Sequence, residues 1–285
     1  MTSISCFFVS DLHGSEHRYG ALFSAVERNR PAAVFLGGDL LPHRWSSGSG
    51  KDDFFDEVLA GGFRSLRNRL GADAPKVFII LGNDDDRSSE PGFLDGDREG
   101  IWIYLHEQWS EIGSHPVFGY ANVPPTPFQL KDWERYDVSR YTDPGCVSPE
   151  RGHRTVPVDD DEVRYGTITA DLEKLTGGHD LSRAVMMFHS PPYQTALDRA
   201  ALDGRMVDHV PMDVHVGSIA IQRLIEERQP MVTLHGHIHE APRLTGAWRE
   251  RIGRTHAFTA AHDGPELALV RFDLANLDSA TRELI

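Results

Sequence analysis

Short, nearly unbroken apolar runs recur along this chain, and segments with helical spacing of apolar residues lie between them. Residues 4–9, 32–36, 76–81 and 184–188 are such runs, and residues 17–29 carry apolar side chains at helical spacing between the first two. Runs of this kind are typical of parallel strands that are covered on both faces. The alternation therefore predicts an α/β fold in which helices pack on a sheet.

The remaining elements are predicted from the same patterns. We expect further helices and strands in the rest of the chain, namely helices over residues 54–70, 167–175 and 218–229 and strands near residues 255–260 and 267–273. Residues 101–105 and 116–120 have the composition of short strands and could pair as a hairpin. Residues 45–53 are rich in serine and glycine, which predicts a flexible loop.

The segment from residue 122 to residue 165 is rich in proline and charged residues. An irregular stretch of this length is usually functional or disordered, but Trp133, Tyr136 and Tyr141 indicate that it docks against the body of the protein. We interpret residues 122–165 as a lid-like insertion near the site, with the acidic triplet at 159–161 facing solvent. With 285 residues, 40% of them apolar, we expect a single domain over residues 1–285.

Composition excludes several classes of function. The formal net charge of -14 disfavours bulk binding to nucleic acid or to an anionic membrane, because both would be repelled. Cys6 and Cys146 are the only cysteines, so neither a disulfide framework nor a thiolate metal site is expected. Residues 1–9 lack the basic region of a secretory signal, and no apolar run approaches the ~20 residues needed to cross a bilayer. We expect a cytoplasmic protein.

Three histidines fall at alternate positions within residues 235–240, directly after the apolar run 231–234. A loop at the end of a strand could hold solvated histidines that act only as proton buffers. Three imidazoles in five residues, with a glycine that lets the backbone bend around a ligand, instead favour metal coordination. The stretch therefore predicts partner ligands at the ends of other strands.

Polar side chains with metal-binding capacity do follow the other predicted strands. Because ligands gather beyond the carboxyl ends of parallel strands, these side chains should meet at one edge of the sheet. Each alone could be a capping residue or part of a solvated turn. The set of candidate metal ligands comprises Asp11, His13, Asp39, Asn83, His189, His237 and His239. Imidazole, carboxylate and amide groups suit Mn, Fe or Zn better than Ca or Mg, and seven ligands suit two metals that share a bridge.

The order of these residues resembles the signature of the calcineurin-like metallophosphoesterase superfamily. The segments around His189 and His237 also look like the bacterial and archaeal phosphoesterase branch related to cyclic-nucleotide phosphodiesterases. The matching motifs are Asp11-Leu12-His13, Gly38-Asp39, Gly82-Asn83-Asp84-Asp85, His189 and Gly236-His237-Ile238-His239.

The resemblance implies an α/β fold built as a two-sheet β-sandwich flanked by helices, in four layers. It also implies how the ligands divide between two divalent metal ions. Asp39 would bridge them, with Asp11, His13 and His239 around the first ion and Asn83, His189 and His237 around the second. His235 has no counterpart among the ligands of the family.

The activity implied by the resemblance is hydrolysis of a small phosphoester by a metal-activated hydroxide. Asp84, His189 and His237 are the candidate catalytic residues. We expect a phosphodiesterase that acts on nucleotides or similar diesters. The alternatives are a phosphomonoesterase, such as a nucleotidase or protein phosphatase, and a weakly active nucleotide-binding regulatory protein.

One position departs from the family signature. The histidine that usually follows the Gly-Asn pair, and that is thought to protonate the leaving group or hold the phosphate, is Asp84 here. Two neighbouring dications would lower the pKa of Asp84 and make it a poor general acid. We therefore expect efficient substrates to have acidic leaving groups, unless His43, His17 or a metal-bound water donates the proton.

Overall fold

Two six-stranded sheets form the centre of the computed structural model, which describes residues 3–43 and 54–285. The loop expected over residues 45–53 lies outside the described residues. The strands are β1 (Ser5–Val9), β2 (Ala33–Gly37), β3 (Lys76–Ile80), β4 (Ile103–Tyr104), β5 (Gln108–Ile112), β6 (His115–Tyr120), β7 (Val185–Phe188), β8 (Met206–Val207), β9 (Val210–Pro211), β10 (Val232–His235), β11 (Arg249–Ile252), β12 (Thr255–Thr259), β13 (Ala268–Asp273) and β14 (Asn276–Leu284).

The α-helices are mostly short and lie between the strands. Glycine or a residue with left-handed backbone follows several of them, as is common at helix ends. A π-helix at Phe54–Ala60 runs directly into the second α-helix. The α-helices are α1 (Glu16–Asn29), α2 (Gly61–Leu70), α3 (Glu90–Arg98), α4 (Asp160–Tyr165), α5 (Ile168–Thr176), α6 (Ile219–Arg228) and α7 (Ala241–Thr245).

The first sheet has the strand order β14-β13-β1-β2-β3-β4, and the second has the order β11-β12-β10-β7-β6-β5. In the first sheet β1 to β4 are parallel, and in the second β6, β7, β10 and β12 are parallel. Strands β13, β14, β5 and β11 join the edges in antiparallel pairs. The small hairpin β8–β9 is separate from both sheets.

Alternating side chains on the strands divide the core into layers. On β1, Phe7 and Val9 face the layer of α1, α2 and α3, whereas Cys6 and Phe8 face the second sheet. Helices α5 and α6 cover the outer face of the second sheet through residues such as Leu172. Side chains on a strand point alternately to its two faces, and here each face of a sheet contacts a different layer. Both sheets are therefore buried on both sides. The α/β class and the two-sheet sandwich flanked by helices are confirmed.

The hairpin expected from residues 101–105 and 116–120 is wrong. Strand β4 pairs with β3 in the first sheet, whereas β6 lies in the second sheet and pairs with β5. The chain therefore crosses from one sheet to the other between β4 and β5. Strand β5 is an edge strand with exposed and polar residues, so its sequence lacks the apolar pattern that would have indicated it.

Residues 122–159 contain no helix and no extended strand, and they dock on the rest of the protein. Trp133 and Tyr136 are buried, as expected, but Tyr141 is 64% exposed, so the expectation that it docks is wrong. The indole nitrogen of Trp133 donates a hydrogen bond to the Asp85 carbonyl at 2.7 Å. Residues 159–161 are exposed, as expected, and Asp159 caps helix α4.

Two further carboxylates fix the insertion at the carboxyl ends of the strands. Asp132 accepts a hydrogen bond of 2.8 Å from the Arg87 amide, which follows β3. Asp137 accepts bonds of 2.6 Å from the Ser218 hydroxyl and the Ile219 amide at the start of α6, the helix that precedes β10. The insertion is thus attached to both sheets along the edge where the parallel strands end. No helix in the described ranges has the length and apolar run that crossing a bilayer requires.

Candidate metal centre

The loops after β1 and β2 are held together by main-chain hydrogen bonds. The Asp11 amide donates to the Gly38 carbonyl at 2.9 Å, and the His13 amide donates to the Asp39 carbonyl at 2.8 Å. These bonds place the Asp11, His13 and Asp39 side chains beside one another at the carboxyl edge of the first sheet.

Left-handed backbone is concentrated in these loops. The φ angles are 56° at Asp11, 46° at His13, 53° at Asp39 and 73° at His237. Each non-glycine residue in this region costs of order 1–3 kcal/mol, and such strain clusters at functional sites. The folded protein therefore holds four of the seven candidate ligands in conformations that their own residue types disfavour.

One group of ligand atoms comes from both sheets. Asp11, His13, Asp39 and His239 each offer an atom, and these atoms all lie within 4.8 Å of one another. The Nε2 atoms of His13 and His239 are 3.2 Å apart, and His239 Nε2 is 3.3 Å from Asp11 Oδ1. Two nitrogens bound to one tetrahedral ion at about 2.1 Å would be about 3.4 Å apart, so these two histidines have the spacing of ligands to one ion.

A second group shares Asp39 with the first. Asp39, His189 and His237 form this group, with ligand atoms again within 4.8 Å. His189 Nε2 lies 3.2 Å from Asp39 Oδ2 and 3.1 Å from Asn83 Oδ1, so Asn83 joins the same cluster. The structure thus brings together all seven side chains that the sequence indicated.

His189 and His237 connect the two sheets across this edge. The Nδ1 atom of His189, which follows β7 in the second sheet, is 2.8 Å from the Gly37 carbonyl in the first sheet. That contact makes Nδ1 the protonated nitrogen in the neutral ring and leaves the Nε2 lone pair facing Asp39 and Asn83. The His237 amide donates to Asp11 Oδ1 at 2.9 Å.

Asp85 is a residue whose role sequence reasoning missed. Its buried carboxylate accepts main-chain hydrogen bonds from Leu40 at 2.9 Å, Leu41 at 2.8 Å and Gly82 at 2.9 Å. It therefore fixes the loop after β2 against the loop after β3, next to Asp39. The sequence signal for Asp85 was that it belongs to the same motif as Asn83. Its hydrogen bonds, however, reach the loop after β2, which is distant in sequence.

Two glycines allow the close approach of the site loops. A Cβ atom at Gly82 would lie 2.3 Å from Asp39 Oδ1 and 2.6 Å from His189 Nε2. At Gly38, where φ is +96°, a Cβ atom would lie 2.6 Å from His189 Nδ1. A larger residue at either position would displace a candidate ligand.

Opposite charges stabilise one another in the cluster. Against the effect of burial, the hydrogen bond and charge of His239 hold the pKa of Asp11 below its usual range, and His189 does the same for the pKa of Asp39. Conversely, and again against burial, Asp39 raises the pKa of His189 to about 10 and Asp11 raises the pKa of His239 to about 9. A cation bound at these nitrogens would release their protons, so its affinity should increase with pH.

Burial has the opposite effect on His237. It lowers the pKa of His237 to about 3, so the ring is neutral and its lone pair is available to a metal. Burial also lowers the pKa of His13, whose Nδ1 atom is buried without a hydrogen-bond partner in the described part of the chain.

His235 does not join the cluster. Its ring is fully buried, and Nδ1 lies 3.0 Å from the Ser190 carbonyl while Nε2 lies 2.7 Å from the Thr233 hydroxyl. Both ring nitrogens are therefore engaged by the protein itself, in agreement with the family pattern in which this position is not a ligand.

Asp84 lies at the margin of the first group. Its amide donates to Asp39 Oδ1 at 2.9 Å, and its carboxylate is 3.8 Å from His13 Nδ1 and 3.5 Å from His43 Nδ1. Burial, and then the charge of Asp39, raise the pKa of Asp84 to about 6. The lowered pKa expected from the sequence refers to a site that holds two cations, and without them the surroundings act in the opposite direction.

The donor set fits a divalent metal site. The two groups combine carboxylates with imidazoles, a mixture that suits first-row transition metals. Two Nε2 atoms at ligand spacing and glycines that leave room for the carboxylates both agree with this fit.

The sequence profile of the calcineurin-like phosphoesterase family matches residues 5–241, most of the chain. The chain belongs to this family. As a calcineurin-like phosphoesterase it is a metal-dependent hydrolase of phosphoric esters. The match includes every candidate ligand from Asp11 to His239.

Solved structures share the fold of this phosphoesterase. The protein TT1561 of Thermus thermophilus is 14% identical, with a TM-score of 0.58, and the alignment covers 99% of each chain. Phosphopantetheinyl hydrolase (PptH) from Mycobacterium tuberculosis is 12% identical, with a TM-score of 0.53 over 90% of this chain and 89% of that one. No curated protein matched the sequence. At these identities the likeness concerns the fold alone.

Proposed function

We propose that this phosphoesterase hydrolyses phosphodiesters, with nucleotides or cyclic nucleotides as candidate substrates, and that it uses two divalent cations. Mn, Fe and Zn are the candidate ions, because imidazole and carboxylate ligands favour them over Ca and Mg. The natural substrate would be a small molecule, since the net charge of -14 repels polyanions.

The observation that carries the proposal is the shared carboxylate of Asp39. Its Oδ2 atom lies 3.2 Å from His189 Nε2 in one ligand group and 3.9 Å from His13 Nε2 in the other. A single carboxylate between two sets of imidazoles suits a bridge between two ions. Asp11, His13 and His239 would hold the first ion with Asp39, and Asn83, His189 and His237 would hold the second.

Two such cations, when bound, supply an activated water and neutralise charge on the phosphoryl oxygens. The protein fixes the ligands for this purpose. Asp39 accepts the Asp84 amide, His189 is oriented by the Gly37 carbonyl, and Asp11 accepts the His237 amide. These bonds hold the ligand atoms in place before substrate binds, which lowers the cost of reorganisation during the reaction.

Asp84 supports a diester rather than a monoester. Its carboxylate is part of the cluster, 3.8 Å from the candidate ligand His13, so it would face a bound phosphoryl group. A phosphomonoester carries up to two negative charges near neutral pH, whereas a diester carries one. Repulsion by Asp84 therefore weakens binding of the monoester more.

A panel of esters with purified protein tests the proposal. Metal-free protein is loaded with Mn, Fe or Zn, its metal content is measured, and rates are compared for nucleotide phosphodiesters, cyclic nucleotides and nucleotide monoesters. We expect two ions per chain and a higher kcat/KM for diesters. His237→Ala should lose both the second ion and activity, while His256→Ala, altered at the opposite end of the parallel strand β12, should retain both.

Other results would redirect the assignment. Higher kcat/KM for monoesters would make this phosphoesterase a phosphomonoesterase. Tight nucleotide binding in calorimetry without turnover would instead indicate a regulatory nucleotide-binding protein. Stray metal only, with full activity in His237→Ala, would rule out the dinuclear site.

The role of Asp84 is tested with a series of diesters whose leaving groups differ in pKa. With a carboxylate in place of the usual histidine, we expect rates to fall steeply as the leaving group becomes more basic. Asp84→His should flatten this dependence. The same slope in both proteins would contradict the idea that Asp84 limits the choice of leaving group.

A further inference from the structure

A third polar cluster adjoins the candidate metal centre. His13, His43 and Asp84 each offer a ring nitrogen or a carboxylate oxygen, and these atoms lie within 4.8 Å of one another. His13 belongs to the candidate ligands, but His43 lies outside every motif of the family. The cluster therefore adds a side chain to the site that the family pattern does not contain.

The position of the His43 ring is fixed by its two neighbours in the cluster. It stacks on the His13 ring, with 4.5 Å between centroids and 18° between planes. Its Nδ1 atom lies 3.5 Å from Asp84 Oδ2. A carboxylate near Nδ1 accepts from the ring N–H at that position and aims the ring, as carboxylates do for metal-ligating histidines.

His43 is the more exposed of the two histidines in the cluster, since the His13 side chain is only 13% exposed. His13 directs its Nε2 atom towards His239 and Asp39, and the Asn83 amide group donates to Asp84 at 3.2 Å. By contrast, His43 Nε2 has no hydrogen bond within residues 3–43 and 54–285, and about half of the side chain is exposed, at 52%. It is open to a bound molecule at the rim of the centre.

The charge of Asp84 creates the need for such a group. A phosphoryl group held at the metal centre would lie near a carboxylate, at the position where the family usually has a histidine. A polar group beside Asp84 that can donate to an anion offsets this repulsion. His43 is adjacent to Asp84, although it comes from the loop after β2 and not from the motif after β3.

We propose that the His43 side chain contacts a phosphoryl oxygen of the substrate and that Asp84 orients its ring for this contact. His43 would thus take over, from another loop, the phosphate-holding task of the missing histidine. This inference rests on the proposed function, since it concerns the substrate of the same centre.

Binding of inorganic phosphate to the metal-loaded protein tests the inference. We expect His43→Ala to weaken phosphate binding in calorimetry about 3- to 10-fold, the range for loss of one hydrogen bond, without changing the metal content. His43→Gln retains a side-chain N–H donor and should recover part of the affinity. His256→Ala is the matched control and should bind phosphate as wild type does.

Steady-state kinetics and a double variant test the link to Asp84. We expect His43→Ala to raise KM for the best ester more than it lowers kcat, because a phosphate contact is made before the reaction as well as during it. Asp84→Asn removes both the repulsion and the carboxylate that orients the ring, so we expect it to tighten phosphate binding less in the presence of His43 than in the His43→Ala background, where only the repulsion is lost. An equal gain in the two backgrounds would show that Asp84 does not act through the ring.

Two outcomes would overturn the inference. If His43→Ala and His43→Gln bind phosphate as wild type does, His43 does not contact the phosphoryl group. If His43→Ala loses a metal ion, His43 is a ligand rather than a substrate contact. Both results leave the proposed function intact, whereas a wild-type protein that neither hydrolyses esters nor binds phosphate would refute that function itself.

Discussion

The two ends of the sandwich differ in what they offer a ligand. At the carboxyl ends of the parallel strands, candidate metal ligands from both sheets converge, and four of them have left-handed backbone. At the amino end of β3, a cavity of about 480 Å³ is lined by apolar side chains such as Phe63, Leu66 and Trp102 together with the charged side chains of Arg67 and Asp97. This cavity lies at the opposite end of β3 from the polar cluster.

The difference teaches that strand direction, rather than the presence of a cavity, determines where the candidate metal ligands of this phosphoesterase meet. Successive parallel strands present their following loops at one edge, so side chains distant in sequence meet there. At the other edge the chain enters the strands from helices, and apolar side chains close the core. A large pocket is the usual first hypothesis for an active site, but here the polar cluster is the better guide.

The largest expected contrast between the two ends comes from replacing one carboxylate at each. Asp39→Asn should lower kcat/KM by more than about 100-fold, because even residues that only support metal ligands cost about 10–100-fold. It should also reduce the metal content. Asp97→Asn, in the lining of the amino-end cavity, should leave both unchanged. Normal metal content and rate in Asp39→Asn would remove the basis for a bridged site.

Glycine substitutions give the next contrast. Gly82→Ala would place a methyl group 2.3 Å from Asp39 Oδ1, so we expect a loss of about 10- to 100-fold in kcat/KM from displaced ligands. Gly71, at the other end, has a φ of +57° with nothing within 4 Å of an added Cβ. Its ψ of -120° places it outside the left-handed helical region, so Gly71→Ala should cost of order 1–3 kcal/mol of stability and leave the rate unchanged. Equal rates for both variants would contradict the comparison.

The third prediction distinguishes a buried histidine from a metal-binding histidine at the carboxyl ends of the strands. His235→Ala removes a buried ring and leaves the Thr233 hydroxyl and the Ser190 carbonyl without this partner. We expect a loss of about 2–4 kcal/mol in the free energy of unfolding, measured with denaturant, while the folded protein keeps its metal ions. Loss of metal with unchanged stability would show that His235 is a ligand after all.

The smallest effect is expected at the amino-end cavity. Arg67 donates a hydrogen bond to the Gly100 carbonyl there and is exposed. Arg67→Ala should change the free energy of unfolding by less than about 1 kcal/mol and should keep kcat/KM within about twofold of wild type. A large loss of activity would indicate that the cavity communicates with the metal centre.

The candidate site was predictable because each motif follows an apolar run directly. Asp11, Asp39 and His189 needed only the rule that parallel strands end at one edge. The role of Asp85 was not predictable, since its hydrogen bonds reach the loop after β2. The stack of His43 on His13 likewise depends on two loops that come together only in the folded chain.

The errors in the predicted fold also arise from contacts between segments that are distant in sequence. Strand β5 was missed and β4 was paired with the wrong partner, because pairing across a sheet is a long-range choice that a short apolar run does not encode. Tyr141 was expected to dock because it is aromatic, but its burial depends on what lies opposite, and it is exposed.

The sequence by itself determined the α/β class, the order of the strands that end in polar side chains and the types of ligand available, because hydrophobic periodicity and residue chemistry are local properties. Only the tertiary structure decided which of those side chains share an ion, that His235 faces inward while His237 and His239 join the cluster, and that His43 lies beside Asp84. Distances between loops arise from the packing of two sheets, and no single segment of the chain contains that information.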